Sequence, residues 1–341
     1  MALLVPEITD GRIDGFAVPH AALDALNMHK IQEHIENALE AGRLDQAPRK
    51  PLDFLYRYRC VVDHHGTPVA TMAGILMFAH QPQFFFPHAD VGLGHFPSSV
   101  PDTEDVIHLK RHGGTLPEQI DFVEGYLWSN TRRGFTVEDG ARRVEKPEYP
   151  RKVIRELTVN AIAHRDYNST GKHTRVSMFT DRIEWVSPGG LPGGITVENI
   201  LQEQFARNPT IAELLHQAGY IERFGIGLDT VMRELRKAGL PDLGMRDTGV
   251  SFTVMVYGHD APSIRAQTPF RLKLLEYARQ QGQITMEDAR RLNEELQAFR
   301  SDRSLLNDLK GLVEAGFLQR VGRSRDTAYL PVAIDTAIDR R

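Results

Sequence analysis

Residues 150–164 read PRKVIRELTVNAIAH, and their pattern predicts a helix with very little solvent-facing surface. Four residues form one apolar stripe on a helical wheel: Val153, Ile154, Leu157 and Ala161. Val159 and Ile162 make most of the remaining surface apolar as well. Because a helix that is apolar nearly all round is buried in a folded protein, we expect this one in the interior of its domain.

Two polar side chains lie at the edge of that stripe. Glu156 and Asn160 are four residues apart and therefore on one side of the helix. Burying a carboxylate and an amide without partners is costly, so we expect a metal ion, a ligand or another side chain to meet them. The spacing alone is a weak signal, because Glu33 and Asn37 repeat it on what we interpret as a solvated helix face.

Glycines occur at two later points where a backbone could approach an anion. Residues 221–228 read IERFGIGL and place Gly225 and Gly227 just before a predicted amphipathic helix. Backbone N–H groups at such a helix start are suited to an anion, although a simple tight turn explains the glycines equally well. Gly189 and Gly190 lie in a second glycine-rich loop, directly after a predicted strand.

Composition excludes several classes of protein. The chain has 341 residues and a formal net charge of -4, so it is not a strongly basic nucleic-acid binder as a whole. From Arg265 onward there are 14 Lys+Arg and 11 Asp+Glu (+3), which leaves 27 and 34 (-7) for the preceding residues. The single cysteine, Cys60, excludes a disulfide framework and any multi-cysteine zinc site.

The sequence carries no sign of a membrane segment. No apolar run approaches the roughly 18 to 20 residues that span a bilayer. Glu7 and Asp10 come too early for a secretory signal peptide. We therefore expect a cytoplasmic protein with no membrane partner.

By pattern the chain divides into four segments. Residues 1–52 are a helical lead-in, and 53–146 form an α+β region. Residues 147–260 hold the buried helix, a strand pair, the glycine-containing segments and a final strand. The best linker is 259–269, and 268–335 reads as helix, short strand, helix, helix and hairpin, which is the order of a winged helix.

Four motifs, taken in order, carry a resemblance to a known family. They are RELTVNAIAHRDY at 155–167, SPGGLP at 187–192, RNP at 207–209 and ERFGIG at 222–227. Together they resemble the divergent GHKL-type ATP-binding proteins labelled RecG-like or Schlafen AlbA-associated, which are regarded as transcriptional regulators. The resemblance runs from about Thr67 through Gly258 and continues more loosely into the terminal winged helix.

The resemblance implies a fold and a set of roles. The fold is a two-layer α/β sandwich of GHKL (Bergerat) type over 147–260, with a preceding α+β region and a C-terminal winged helix-turn-helix. ATP and Mg²⁺ are the implied cofactors: Asn160 would coordinate the Mg²⁺ that bridges the phosphates, and Glu156 would orient or deprotonate the attacking water. The resemblance also implies roles for four glycines. Gly225 and Gly227 would surround the phosphates, and Gly189 and Gly190 would line the adenine side.

Two departures from the family pattern are visible. Orthodox GHKL proteins have an Asp before the first glycine to read the adenine amino group, and the divergent family usually has Asn, whereas this chain has Ser187. A serine can still accept one hydrogen bond, but the identity of the nucleotide is open. The AlbA-type domain that normally precedes this arrangement is also missing, so we expect a fragment or a short paralogue.

Neither helicase nor kinase chemistry finds support in the motifs. Gly171 and Lys172 are followed by His173 and lack the leading glycine of a phosphate loop. The tripeptide at 164–166 is similar to a kinase catalytic loop, but Gly171 stands where that loop requires Asn. We interpret His164 first as a core histidine that holds the following turn, and second as a nucleotide contact.

The C-terminal segment offers residues for double-stranded DNA. Its third helix would place three side chains near the major groove, and its wing carries three arginines. These residues are Arg303, Ser304 and Asn307 on the helix and Arg320, Arg323 and Arg325 on the wing. Winged helices also mediate protein contacts, so this alternative stays open.

The leading hypothesis is a nucleotide-binding regulator that couples a divergent GHKL ATP–Mg²⁺ site to a DNA-binding winged helix. The alternative is a non-catalytic scaffold with a degenerate ATP fold and a protein-binding winged helix. Whether ATP is hydrolysed and whether the chain forms a homodimer are left open.

Overall fold

The structure is a computed structural model that separates the chain into two compact units, Met1–His259 and Asp260–Arg341. It describes residues 13–99, 101, 104–138, 142–203, 205–221, 227–258, 269–296, 300–314, 317–322 and 327–331. Among these residues, no helix combines the length and the apolar character that a membrane span requires.

The first unit contains eight α-helices and ten strands within its described residues. The helices are α1 (Met28–Glu40), α2 (Pro51–Arg57), α3 (Met72–Phe78), α4 (Pro82–Phe85), α5 (Leu116–Asn130), α6 (Arg151–Ala163), α7 (Pro209–Gln217) and α8 (Gly227–Ala238). The strands are β1 (Val61–His64), β2 (Thr67–Ala70), β3 (Val91–His95), β4 (His108–His112), β5 (Arg133–Glu138), β6 (Arg142–Pro147), β7 (Thr174–Met178), β8 (Arg182–Pro188), β9 (Gly244–Asp247) and β10 (Ser251–Tyr257).

Six of these strands form one mixed sheet in the order β4-β3-β7-β8-β10-β9. Strands β3 and β7 run parallel, and the other neighbours in the sheet run antiparallel. Two separate hairpins, β1-β2 and β5-β6, complete the strands of this unit. Helices and a large mixed sheet together make the first unit an α/β structure, which confirms the predicted class at this level.

Helix α6 lies between two hydrophobic clusters. Val153 and Leu157 belong to a cluster with sheet residues such as Trp185, whereas Val159 and Ile162 belong to a cluster built mainly from helices α1 to α3 and α7. Each cluster buries a different face of the same helix. This arrangement explains why the segment is apolar nearly all round, as the sequence indicates.

The carboxyl end of α6 is anchored by side chains from three other segments. Ser187 donates its hydroxyl to the Ala161 carbonyl over 2.8 Å. Tyr167 bonds the Ile162 carbonyl over 2.9 Å, and the buried Asn208 bonds the Ala163 carbonyl over 2.8 Å. Since the last carbonyls of a helix have no partner within it, these bonds satisfy them and fix the end of α6.

Segments that sequence analysis divided at 52/53 and 146/147 pack together in the first unit. Strands β3 and β4 precede the second boundary, and β7, β8 and β10 follow it, yet all five lie in one sheet. The strongly apolar run from Thr71 to His80 contains helix α3, and all of α3 is buried. Its periodicity is uninformative because every face of α3 meets other residues.

The second unit contains three helices and three strands within its described residues. They are α9 (Pro269–Gln281), β11 (Ile284–Thr285), α10 (Met286–Glu295), α11 (Asp302–Glu314), β12 (Leu318–Val321) and β13 (Ala328–Pro331), and the strands form an antiparallel sheet in the order β11-β13-β12. A capping box formed by Thr285 and Asp288 opens α10, with the Asp288 N–H 3.2 Å from the Thr285 hydroxyl. The buried Asp308 on α11 accepts hydrogen bonds from Arg271 and Arg300, which ties three segments of this unit together.

Candidate functional site

A cavity of about 540 Å³ lies in the first unit between α6, the segment after β8 and the start of α8. Six of the residues predicted for the nucleotide site line it: Glu156, Asn160, Ser187, Gly189, Gly190 and Gly227. Gly225 lies outside the described residues. Segments far apart in sequence are therefore brought to one cavity large enough for a small-molecule ligand.

Helix α6 contributes a row of polar side chains at four-residue spacing. Lys152, Glu156 and Asn160 all line the cavity. The Asn160 amide donates a hydrogen bond to the Glu156 carboxylate over 3.3 Å. Each of these two side chains therefore supplies part of the polar contact that sequence analysis expects for the other. Because the Asn160 nitrogen faces Glu156, its carbonyl oxygen remains for a further ligand.

Gly227 begins α8 and lies directly against Glu156. A Cβ atom at Gly227 would lie 1.9 Å from the Glu156 Oε1 atom, which is far inside van der Waals contact. Only a glycine allows this approach without displacing the carboxylate. The start of α8 also carries the partial positive charge of a helix N-terminus, which favours an anion at this position.

At the carboxyl end of α6 the cavity is bounded by β8 and the glycine loop that follows. Ser187 is buried and faces the cavity while its hydroxyl donates to Ala161. Gly189 has a φ of +96°, a conformation that favours glycine, and its N–H bonds the Val250 carbonyl over 3.0 Å. At Gly190 a Cβ atom would lie 2.7 Å from the Gly249 backbone, so the loop packs closely on the turn before β10.

His164 and Arg207 stand side by side at this end of the cavity. Burial, with the nearby Arg207 charge, lowers the pKa of His164 to about 4, so the imidazole is neutral at physiological pH. The half-buried His164 ring lines the cavity and makes no hydrogen bond to any described residue. Arg207 donates to the Gly190 carbonyl, which holds it against the glycine loop.

The side of the cavity formed by residues 191–206 is largely apolar. Leu201 and Phe205 are 40% and 52% exposed, although both line the cavity. Exposed large apolar side chains around a cavity are typical of a site whose ligand covers them.

Charges around the cavity are mostly negative. Of the residues that the structure describes, four carboxylates and two basic side chains line it: Glu156, Glu203, Glu213, Asp229, Lys152 and Arg207. A polyphosphate would therefore need backbone N–H groups and a cation as well as these two basic residues. Mg²⁺ suits this role because it takes few protein ligands and otherwise binds phosphate oxygens and water, and Asn160 offers an amide oxygen. The cradle at Gly227 and this donor set fit a nucleotide with Mg²⁺.

The residues predicted for DNA lie on the second unit, and four of them are described. Arg303 and Asn307 are exposed on α11, and Arg320 is exposed on β12. Ser304 is half-buried, with the Arg300 side chain 3.4 Å from its hydroxyl. Arg323 and Arg325 lie outside the described residues.

Sequence analysis missed two residues that the structure places at these surfaces. Lys152 was missed although it lies four residues before Glu156, just as Glu156 lies four residues before Asn160. Lys310 is exposed and lies on the same face of α11 as Arg303 and Asn307, which the spacing of seven and three residues would have shown.

Comparison with known proteins supports an ATPase-like domain. Residues 171–256 match the family described as "Putative ATP-dependent DNA helicase recG C-terminal". The match covers β7, β8, the glycine loop, α7, α8 and β9 and ends one residue before the end of β10. It begins after α6, so it does not include Glu156 or Asn160. No curated protein matches the chain.

A solved structure shares the fold. The crystal structure of the DIP2311 protein from Corynebacterium diphtheriae aligns with 93% of this chain at a TM-score of 0.58 and 21% sequence identity. The alignment covers 64% of that chain, so this protein spans less than two thirds of the length of its structural relative. The chain thus contains, over residues 171–256, an ATPase-like domain related to the C-terminal part of RecG-type proteins.

Proposed function

We propose that this protein is a nucleotide-binding regulator in which a GHKL-type ATP–Mg²⁺ site is linked to a DNA-binding winged helix. One observation carries the nucleotide site: Glu156, Asn160 and Gly227 meet at one end of a cavity whose other end is formed by Ser187 and the Gly189–Gly190 loop. The cavity lies against the ATPase-like domain that the family match indicates.

In this proposal Mg²⁺ would neutralise the phosphates and activate the terminal phosphoryl group. Asn160 would present its amide oxygen to the cation, since its nitrogen is held by Glu156. Glu156 would hold a water molecule and accept its proton. The first backbone N–H groups of α8 would bind phosphate oxygens, for which the absence of a side chain at Gly227 leaves room.

Isothermal titration of the full chain with Mg–ATP tests the site. Wild type should give a binding heat, and Asn160→Ala should lose most of it because the cation loses its protein ligand. Asn37→Ala is the matched control, since Asn37 has the same spacing from Glu33 but is exposed on α1. No heat from wild type, or equal affinities for wild type and Asn160→Ala, would contradict the proposed site.

The DNA part of the proposal rests on the surface of the second unit. Arg303, Asn307 and Lys310 form an exposed row on α11, the third helix in an arrangement of three helices and a small antiparallel sheet. Asp302 also lies on α11, but its carboxylate is paired with Arg290 over 2.9 Å, which reduces repulsion of phosphates. A row of polar and basic side chains on such a helix suits the major groove of double-stranded DNA.

A scaffold without catalysis is the second candidate, and one observation favours it. The Glu156 carboxylate already lies against the N-terminus of α8, where it stabilises the helix electrostatically without any reaction. Phosphate release separates the two candidates: in an ATPase, Glu156→Gln should abolish release while retaining nucleotide binding. A wild type that binds ATP without releasing phosphate would instead be a scaffold. Unwinding of DNA is not part of the proposal.

A cytoplasmic location and a homodimer remain predictions. Cell fractionation would check the first, and sedimentation equilibrium would check the second.

A further inference from the structure

Helix α7 presents a second set of polar side chains to the cavity. Glu213 and His216 are three residues apart, on one side of α7, and both line the cavity. Arg155 on α6 donates to the Gly219 carbonyl over 2.9 Å, so the chain just after α7 lies near the part of α6 that carries Glu156. The cavity thus holds a carboxylate and an imidazole on α7 in addition to the polar residues of α6.

A hydrogen bond to the backbone fixes the His216 ring. Its Nδ1 atom lies 2.8 Å from the Ile221 carbonyl oxygen. A carbonyl only accepts hydrogen bonds, so Nδ1 carries the proton and the neutral ring has its lone pair on Nε2. The Nε2 atom has no hydrogen-bond partner among the residues that the structure describes. Histidines that bind metal ions share this arrangement, in which one ring nitrogen donates to a carbonyl and the other is the ligand.

The Glu213 carboxylate is oriented by a chain of two hydrogen bonds. The Gln217 side chain donates from its nitrogen to the Glu213 Oε1 atom over 3.1 Å. Gln217 is buried, and its oxygen accepts from the His34 Nε2 atom over 3.1 Å, which keeps its nitrogen directed at Glu213. Carboxylates that bind metal ions are held by hydrogen bonds of this kind. Both side chains of the α7 pair are therefore oriented before any ligand arrives.

We infer that Glu213 and His216 form a binding site for a divalent transition-metal ion such as Zn²⁺. A carboxylate and an imidazole three residues apart project to one side of a helix, as in the helical metal sites built on Glu-x-x-His. An imidazole nitrogen suits Zn²⁺, whereas Mg²⁺ takes oxygen ligands. The site therefore differs in chemistry from the one proposed for Mg²⁺ at Asn160. This inference goes beyond the proposed function and needs no nucleotide.

Two protein ligands leave the coordination of the ion incomplete. Within the described ranges, no three His, Cys, Asp or Glu side chains are grouped so that they could hold a metal ion together. Water or an oxygen atom of a ligand in the cavity would therefore complete the tetrahedral coordination that Zn²⁺ prefers. The carboxylates of the described cavity wall favour a cation at this place. We expect micromolar affinity, weaker than that of closed structural zinc sites.

Titration of the full chain with Zn²⁺ in the absence of nucleotide tests the site. Wild type should bind Zn²⁺ with micromolar affinity, and His216→Asn should weaken this binding by about tenfold or more. Asparagine keeps a donor for the Ile221 carbonyl but has no ring nitrogen at the Nε2 position. Glu213→Gln, which keeps the shape of the side chain, should also weaken Zn²⁺ binding. Thermal melts show whether each variant is folded.

His29→Asn is the matched control. His29 and Glu33 are also an imidazole and a carboxylate on one helix, 3.4 Å apart, but both are exposed and neither lines the cavity. This variant should bind Zn²⁺ like wild type. Equal Zn²⁺ affinity in wild type and a folded His216→Asn variant, or an equal loss in the His29→Asn control, would overturn the inference.

Co²⁺ in place of Zn²⁺ reports on the ligands, because its visible absorption depends on the atoms that surround it. The Co²⁺ spectrum in wild type should differ from that in buffer, and His216→Asn should lose this difference. A wild-type spectrum identical to that of Co²⁺ in buffer would overturn the inference without any variant. Mg²⁺ in large excess should leave the Co²⁺ spectrum unchanged, and its displacement of Co²⁺ would contradict the imidazole ligand.

These titrations are independent of the proposed nucleotide site. If Mg–ATP does not bind but Zn²⁺ binding depends on His216, the proposed function fails and the metal site stands. If Mg–ATP binds and Zn²⁺ binding is the same in wild type and His216→Asn, the nucleotide site stands and this inference fails.

Discussion

The Cα atom of Gly227 packs so closely on the Glu156 carboxylate that a methyl group there would lie 1.9 Å from Oε1. The first residue of α8 and a polar residue in the middle of α6 are thus in direct contact, although 71 residues separate them in sequence. The atom in the way is the far end of a flexible side chain. Added volume at Gly227 would therefore move the carboxylate and leave the helices in place.

Gly227→Ala should weaken nucleotide binding without destabilising the protein. The methyl group displaces the Glu156 carboxylate and fills space beside the first amides of α8, so we expect Mg–ATP affinity to fall about tenfold, or ~1.4 kcal/mol. Isothermal titration measures the affinity and thermal melting the stability. Gly125→Ala is the control: a Cβ there meets open space on α5, and removing a glycine from a helix should stabilise by about 0.5–1 kcal/mol. An unchanged affinity in Gly227→Ala would contradict the site geometry.

Removal of Mg²⁺ should weaken ATP binding strongly. The described part of the cavity wall carries four carboxylates and two basic side chains, so a triphosphate without its cation meets net negative charge there. We expect at least a roughly tenfold loss of affinity in EDTA, equivalent to ~1.4 kcal/mol. Titration of ATP with and without EDTA measures it, and binding that is equally tight in both buffers would mean that the phosphates lie elsewhere.

Asn208→Ala should destabilise the first unit. Asn208 is buried, and its amide bonds the carbonyls of Ala163 and Arg165 over 2.8 Å each, so it joins the end of α6 to the start of α7. Leaving these carbonyls without a partner should cost about 2–3 kcal/mol of unfolding free energy in urea titrations. Asn130→Ala removes an exposed bond to Tyr126 and should cost less than about 0.5 kcal/mol. Similar losses for both variants would argue against the anchoring role.

Acid should destabilise wild type more than His164→Gln. The folded protein holds His164 with a pKa of about 4, and the unfolded chain takes up a proton near 6.5. Because the unfolded state binds more protons between these values, stability is full above pH 6.5 and falls toward pH 4, by up to about 3 kcal/mol for this residue. His34, whose pKa is also lowered, contributes to both proteins and cancels in the difference. A difference in unfolding free energy that stays constant from pH 7.5 to pH 5 would contradict this prediction.

Replacing both Arg303 and Lys310 with Ala should weaken DNA binding and reduce its salt dependence. If both contact phosphates, the slope of log K against log salt should become shallower by roughly 1 to 2 units. Mobility shifts at several salt concentrations with mixed genomic fragments measure the slope. The control variant replaces Lys273 and Arg279 with Ala. This change removes the same charge from exposed positions on α9. An equal effect of both double variants would indicate only non-specific attraction.

The spacing of apolar residues along the chain predicted the helices and strands that bury at least one apolar stripe. Helix α6 follows the expected bounds within a residue because Val153, Leu157 and Ala161 repeat at helical spacing. The hairpin β5-β6 was not anticipated, since RGFTVE and RRVEKP lack a clean apolar alternation. Strand β9 also lacks a clean apolar alternation and was missed. Its four residues depend on pairing with β10 for their conformation.

Within the candidate site, the sequence indicates residue types but not which groups meet. The spacing of Glu156 and Asn160 predicts that they share a face, and the structure places them in hydrogen-bond contact. The contact between Glu156 and Gly227 depends on how α8 packs on α6, which no local pattern contains. The bond from Ser187 to Ala161 is equally invisible, because it requires the register of β8 against the end of α6.

The placement of α6 between two hydrophobic clusters has a consequence for mutational tolerance. Eight of its thirteen residues are buried, two of the others, Arg151 and Arg155, lie beside the buried Glu124, and Lys152, Glu156 and Asn160 line the cavity. Every residue of this helix therefore packs in a core, lies beside Glu124 or lines the cavity. We expect few substitutions on this helix to be neutral. In a library of random substitutions selected for folded protein, variants in these thirteen residues should be among the most strongly depleted of the chain. We expect this depletion even under conditions in which the cavity binds no ligand.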